Sequence, residues 1–252
     1  MTDPPGYVIV GRGRWAQRMY AMLSSESRKV SMIEETRRRP GESDIEYQDR
    51  LGDGISSSGA AIAWLCVLPG PHVSDMIRAA LASDLDVIVE KPWTGSEAET
   101  EELEALARAH GKLIAIDYEY LVHPAVEEWR KRFYPGTGLD FGGNFFLSRS
   151  DRTGIPAMSN LGTHLFSIRE YAVPASAITQ IQCAYEQPDD RMVWLEQDGK
   201  RMASIDLLKN ADRLVQSYVE KVEAARENAA FAIDLRFASR VARELTAYEA
   251  RT

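Results

Sequence analysis

The alternation of apolar and polar positions changes rhythm once along the chain. From Tyr7 to about Asp117, short β-branched apolar runs alternate with longer stretches of helical period. Runs that are apolar at every position suit strands buried on both faces, and their alternation with helices is the pattern of βαβ units around a parallel sheet. The runs predict strands at Tyr7–Val10, Val30–Glu34, Ala61–Val67, Asp86–Val89 and Lys112–Asp117, and helices at Arg14–Ser24, Pro71–Ser83 and Ser96–His110. Pro71 suits a first helical turn, Ser96 an N-cap followed by acidic residues, and Gly111 a helix stop before the next strand.

Beyond Asp117 a helical segment begins near Pro124, and a glycine-rich stretch from Pro135 to Gly143 leads into a strand at Phe141–Ser148. A helix over Asn160–Tyr171 follows. Strand-like runs at Ala177–Tyr185, Arg191–Glu196 and Arg201–Leu208 are spaced as in an antiparallel sheet, and Ala211–Tyr248 is helical with a break near Asn228. The change of rhythm puts a domain boundary near Tyr120. The expected architecture is α/β: an N-terminal Rossmann-type parallel sheet in residues 1–120, then a second, smaller α+β domain in residues 121–252 that ends in helices.

Composition narrows the function classes. With 252 residues the chain can bury a core without staples, and 44 % hydrophobic with 27 % charged residues is ordinary for a globular protein. No stretch approaches the roughly 18 apolar residues of a membrane span, and Met1–Gly6 carry no positive cluster or cleavage-site pattern, so a cytoplasmic protein is expected. The net charge of −8, with Arg37–Arg39 as the one short basic run, argues against a nucleic-acid surface. Cys66 and Cys183 lie far apart, outside any CxxC or Cys/His spacing, and read as reduced core thiols rather than metal ligands.

The candidate chemistry begins at Val8-Ile9-Val10-Gly11-Arg12-Gly13-Arg14-Trp15-Ala16, which sets a strand, a glycine turn and a helix in succession. This is the GxGxxA form of the dinucleotide fingerprint. Gly11 permits the tight turn, Gly13 lets backbone approach a pyrophosphate, and Ala16 allows close packing of helix on strand. N–H groups at the helix start, from Arg14 and Trp15 onward, would hold the anion. At the end of the second strand Glu34 stands where a carboxylate binds the adenosine ribose 2′-OH, which favours NAD. Arg37 and Arg38 stand where arginines pair with a 2′-phosphate, which favours NADP, or form a solvated basic loop. The cofactor is therefore NAD or NADP.

At Val87-Ile88-Val89-Glu90-Lys91-Pro92 the sequence resembles the Gfo/Idh/MocA oxidoreductase family. Leu68-Pro69-Gly70-Pro71-His72 with Ala79-Ala80-Leu81 looks like the loop and helix that lead to that family's Glu-Lys-Pro signature. Pro124 is similarly placed to its helix-starting proline, and Leu161-Gly162-Thr163-His164 is similar to its Gly-x-His helix. The resemblance implies that Lys91 reaches nicotinamide and substrate, that the peptide before Pro92 is cis, and that His164 faces Lys91 across a cleft as acid or base. It further implies cofactor contacts from Leu68, Pro69, His72, Glu90 and Lys91, and substrate contacts from Lys91, Tyr120, Asn160 and His164. Read without it, Lys91 is a surface lysine beside a turn proline and His164 a helix histidine satisfied by a neighbour. His110 and His123 read as surface residues.

The chain departs from the family pattern in places. Ser167 stands where the family often has an aspartate three residues after the histidine, Glu119 and Tyr120 where many members have asparagine and arginine, and the second domain reads as shortened. A shortened sheet fits a small substrate, or completion by another subunit in a homodimer or higher homo-oligomer. The expected function is NAD(P)-dependent hydride transfer to or from a small polar metabolite. The alternatives are a non-catalytic dinucleotide-binding regulator of the same fold and a short reductase of the dihydrodipicolinate or biliverdin type.

Overall fold

The computed structural model describes residues 4–150, 154–211, 213–228 and 231–252. It divides the chain into two compact units: Met1–Asp117 with Val222–Ser239, and Tyr118–Lys221 with Arg240–Thr252. The expected domain bounds need two corrections. The first unit ends at Asp117, where β5 stops, and it takes back a segment from the helical tail that was assigned wholly to the second.

In the first unit, strands β1 (Tyr7–Val10), β2 (Val30–Ile33), β3 (Ile62–Leu65), β4 (Asp86–Glu90) and β5 (Ile114–Asp117) form a parallel sheet in the order β2-β1-β3-β4-β5. β1, β3 and β5 are buried at every position and β4 at all but Glu90, as their continuous apolar runs require. The helices α1 (Arg14–Ser25), α3 (His72–Ala82) and α4 (Glu97–His110) fall where expected within a residue or so. Ser96 caps α4 by accepting from the Glu99 N–H, and Gly111 ends it in the left-handed conformation at φ 64°. Pro71 is the residue before α3 rather than inside its first turn.

A further helix, α2 (Asp44–Ser57), was not anticipated. Ser43 and Glu46 form a capping box at its start, and Tyr47, Leu51 and Ile55 bury one face at four-residue spacing. The order of the sheet reverses between β1 and β3, and such a switch point opens a crevice at the carboxyl ends of the strands.

The returning segment completes this unit. Glu223 accepts from the Tyr7 hydroxyl at 2.7 Å and from Arg28, Arg226 bonds Asp86 at 2.6 Å, and the Ile233 carbonyl accepts from the Ile116 N–H on the outer side of β5 at 2.9 Å.

The second unit holds a four-stranded sheet of β6 (Asp140–Leu147), β7 (Ala177–Tyr185), β8 (Asp190–Gln197) and β9 (Lys200–Asp206), in the order β7-β6-β8-β9. β6 pairs with β8 and β8 with β9 antiparallel, but β6 and β7 are parallel, so the sheet is mixed rather than antiparallel throughout. The parallel pair follows from the crossover α6 (Thr163–Ala172), which joins the two strands as in a βαβ unit. α5 (Pro124–Phe133) starts at its proline, α7 spans Leu214–Ala225 and α8 Leu235–Glu249. His123 is not at the surface as expected: it is 2 % exposed, caps α5 by accepting from the Ala125 N–H, and its Nε2 contacts the Lys209 carbonyl at 2.6 Å.

Candidate functional site

At the switch point Gly11 has φ 145°, and a Cβ there would lie 2.3 Å from the Cys66 carbonyl oxygen, so glycine is obligatory on two counts. Gly13 differs. It precedes α1 at φ −70°, and a Cβ on it would meet nothing within 4 Å. Its lack of a side chain answers no packing demand of the protein and leaves open space in front of the α1 N-terminus. No acidic residue stands in the first turn of α1, so its N–H groups and dipole face that space unopposed. Ala16 is fully buried, as close packing of α1 on the sheet needs. This cradle fits a pyrophosphate.

Beyond the end of β2 a cavity of about 250 Å³ is lined by Arg12, Glu34, Thr36, Arg37, Arg38 and Pro40, among others. Three residues expected at the ribose therefore meet there. Arg50 of α2 holds the loop by donating to the Glu35 and Arg37 carbonyls at 2.9 and 3.0 Å while pairing with Glu42, so the helix missed in sequence is what shapes this wall. Arg38 is already engaged, with Asp44 as its ion-pair partner and its guanidinium over the Tyr47 ring. A larger cavity, about 430 Å³, lies in the second unit between Arg169, Thr179, Glu244 and Tyr248 and contains none of the expected site residues.

Leu68 is exposed and Pro69 half-buried in the loop after β3, while His72 opens α3 with its ring against Gly70. Glu90 ends β4, and its Oε1 accepts from the Trp15 indole at 2.5 Å and the Trp64 indole at 3.1 Å. Trp15 thereby ties the glycine turn to the Glu-Lys-Pro segment. The Lys91–Pro92 peptide is cis, as expected. The following loop is pinned by the buried Trp93, which donates to Thr100 Oγ1 at 2.9 Å and lies so close to Gly95 that a Cβ there would fall 2.1 Å from the ring.

In the second unit His164 is 5 % exposed on α6. Its ring stacks on Phe145 of β6 with centroids 5.0 Å apart and planes at 12°, and Tyr120 meets it edge-on at 5.0 Å. Tyr120 lies in a 3₁₀ turn over Glu119–Val122, just past the strand it was expected to end. Arg191 of β8 completes the cluster, donating to the Tyr120 hydroxyl at 2.5 Å with its guanidinium 5.2 Å from the Phe145 ring centroid. Sequence reasoning missed Arg191; only the register of β6 on β8, which pairs Phe145 with Arg191, places it here. Ser167 donates to the His164 backbone carbonyl at 2.8 Å, so its hydroxyl is committed to the helix rather than to the imidazole. Asn160 sits in the π-helical turn Met158–Gly162 and donates to the Tyr185 hydroxyl at 2.6 Å.

Fold and glycine cradle together define a dinucleotide-binding Rossmann protein. Residues 6–118 match the GFO_IDH_MocA family, described as an oxidoreductase family with an NAD-binding Rossmann fold. Human biliverdin reductase A is 30 % identical over 165 residues, which cover 62 % of this chain and 54 % of that protein, so the match spans about half the length of the curated relative. Among solved structures, UDP-N-acetylglucosamine 3-dehydrogenase GnnA from Acidithiobacillus ferrooxidans superposes with a TM-score of 0.77 at 14 % identity, covering 96 % of this chain and 95 % of that one. GenD2 from gentamicin A biosynthesis, solved in complex with NAD, gives 0.75 at 15 % identity over 98 % and 93 %. At such identities the structural likeness speaks for the fold. Among the described residues no helix is long and apolar enough to cross a membrane.

Proposed function

We propose that this chain is an NAD-dependent oxidoreductase acting on a small polar metabolite, with Lys91 and His164 as its chemical groups. The observation that carries the reading is the open space before Gly13 at the start of α1, beside a Gly11 that no other residue can replace. Bound NAD would supply or accept hydride at its nicotinamide, while its pyrophosphate would lie on the α1 N-terminus and its adenosine ribose by Glu34. NAD is preferred to NADP because Glu34 offers a carboxylate at that cavity and the Arg38 guanidinium is paired with Asp44. The Lys91 ammonium would stabilise negative charge growing on the substrate oxygen, and His164 would move the proton on or off that oxygen. Arg191, held beside His164 through Tyr120 and Phe145, would favour a substrate with an anionic group.

The identity to human biliverdin reductase A supports a second reading, reduction of biliverdin by the same groups. Titration of the purified protein with NADH and NADPH, followed by nicotinamide fluorescence, tests the cofactor. Saturable binding with NADH the tighter is expected, and no binding of either would overturn the proposal. A substrate screen on the NADH-bound protein that includes biliverdin then separates the two readings.

A further inference from the structure

Strands β4 and β5 bring two carboxyl groups side by side, since Glu90 and Asp117 are register partners at the ends of these parallel strands. Asp117 is 1 % exposed, and among the described residues no N–H or O–H donor meets either of its oxygens in full hydrogen-bond geometry. The Glu90 carboxyl is within hydrogen-bond reach of it, with the Lys91 charge and the Trp15 indole nearby. The Cys66 thiol belongs to the same buried patch, raised by burial first and then by Glu90 and Asp117. Two ionised carboxylates are acceptors only, so their contact is satisfied when one of them carries a proton. Two indole N–H groups converge on Glu90 and mark it as the acceptor, which leaves the proton to Asp117.

We propose that Asp117 is a neutral carboxylic acid that donates to Glu90 and, through Glu90, positions the turn bearing Lys91, leaving one negative charge rather than two beside it. Burial, reinforced by the charge of Glu90, holds the Asp117 carboxyl well above the usual carboxylate range, with Lys91 and Trp15 opposing. The proton is argued from the carboxyl pair alone. Its consequence for Lys91 rests on the function proposed above.

Infrared spectroscopy of the whole protein reads the proton directly. Near pH 7, above the ordinary carboxylate range of about 4, the wild type should show the carbonyl stretch of a buried carboxylic acid. The band should shift in D₂O and vanish in Asp117→Asn, whose amide replaces the hydroxyl as donor to Glu90. A wild type without the band, or a variant that keeps it, overturns the proposal. If Asp117→Asn does not fold, Glu90→Gln serves instead: the band should persist at a shifted frequency, and an unmoved band overturns the pairing.

Stability gives a second readout. A carboxyl raised on folding contributes stability that is fully present below its unfolded pKa and is lost as pH rises through the folded one. The urea midpoint of the wild type should therefore fall toward alkaline pH relative to Asp117→Asn, and parallel curves overturn the proposal. NADH titration of the same samples keeps the two readings apart, because failure to bind NADH would defeat the cofactor assignment and leave the infrared result standing.

Discussion

The glycine turn of the first unit and the histidine cluster of the second are built by opposite means. Around Gly11 and Gly13 the working groups are backbone N–H donors and empty space, and side chains matter mainly by being absent. Around His164 the working groups are side chains packed on one another, with Phe145, Tyr120 and Arg191 fixing ring and charge. A site made of backbone and space leaves its mark in glycine spacing. A site made of packed side chains leaves its mark only in three dimensions.

Substitutions break or sharpen this contrast. The largest effect is expected at Lys91, where Lys91→Ala should lower turnover by about three orders of magnitude while NADH affinity stays within a few-fold, measured by steady-state kinetics beside fluorescence titration. Next, Gly11→Ala should cost roughly 3 kcal/mol in urea unfolding, because a left-handed conformation and a backbone clash both oppose the methyl group. Gly13→Ala sharpens the case by using the same methyl where the protein has room. The variant should unfold within about 0.5 kcal/mol of wild type yet bind NADH at least about tenfold more weakly, since the methyl enters the open space proposed for the pyrophosphate. Equal losses of stability in the two glycine variants would remove the distinction between a packing glycine and a ligand glycine. The smallest effect is expected at Glu34, where Glu34→Ala should narrow the preference for NADH over NADPH by several-fold without changing stability.

Strands buried on both faces are continuous apolar runs, which is why β1, β3, β4 and β5 could be read from the chain to within two residues at each end. Helix α2 escaped notice because Gly52 and Gly54 dilute its pattern and its buried residues, Tyr47, Leu51 and Ile55, are widely spaced; Ser43 and Glu46 were the signal available. The parallel pairing of β6 with β7 was not legible, since three strand-like runs carry no record of which neighbour each will choose. Arg191 and the Asp117–Glu90 pair were hidden for the same reason: register, not local sequence, puts them beside His164 and beside each other. His123 misled because a polar residue before a helix-starting proline looks exposed until its two hydrogen-bond partners are seen.

The return of Val222–Ser239 to the first unit has a consequence for how the protein is made. On the ribosome, β1 to β5 emerge more than a hundred residues before the segment that bonds the outer side of β5 and neutralises Asp86 and Arg28. Through that interval the nascent sheet exposes an unsealed edge, the kind of surface that pairs with a neighbouring chain. Synthesis of the second unit is thus a waiting period for the first, and truncation before residue 222 should yield a sheet that associates with itself rather than a smaller dinucleotide-binding domain.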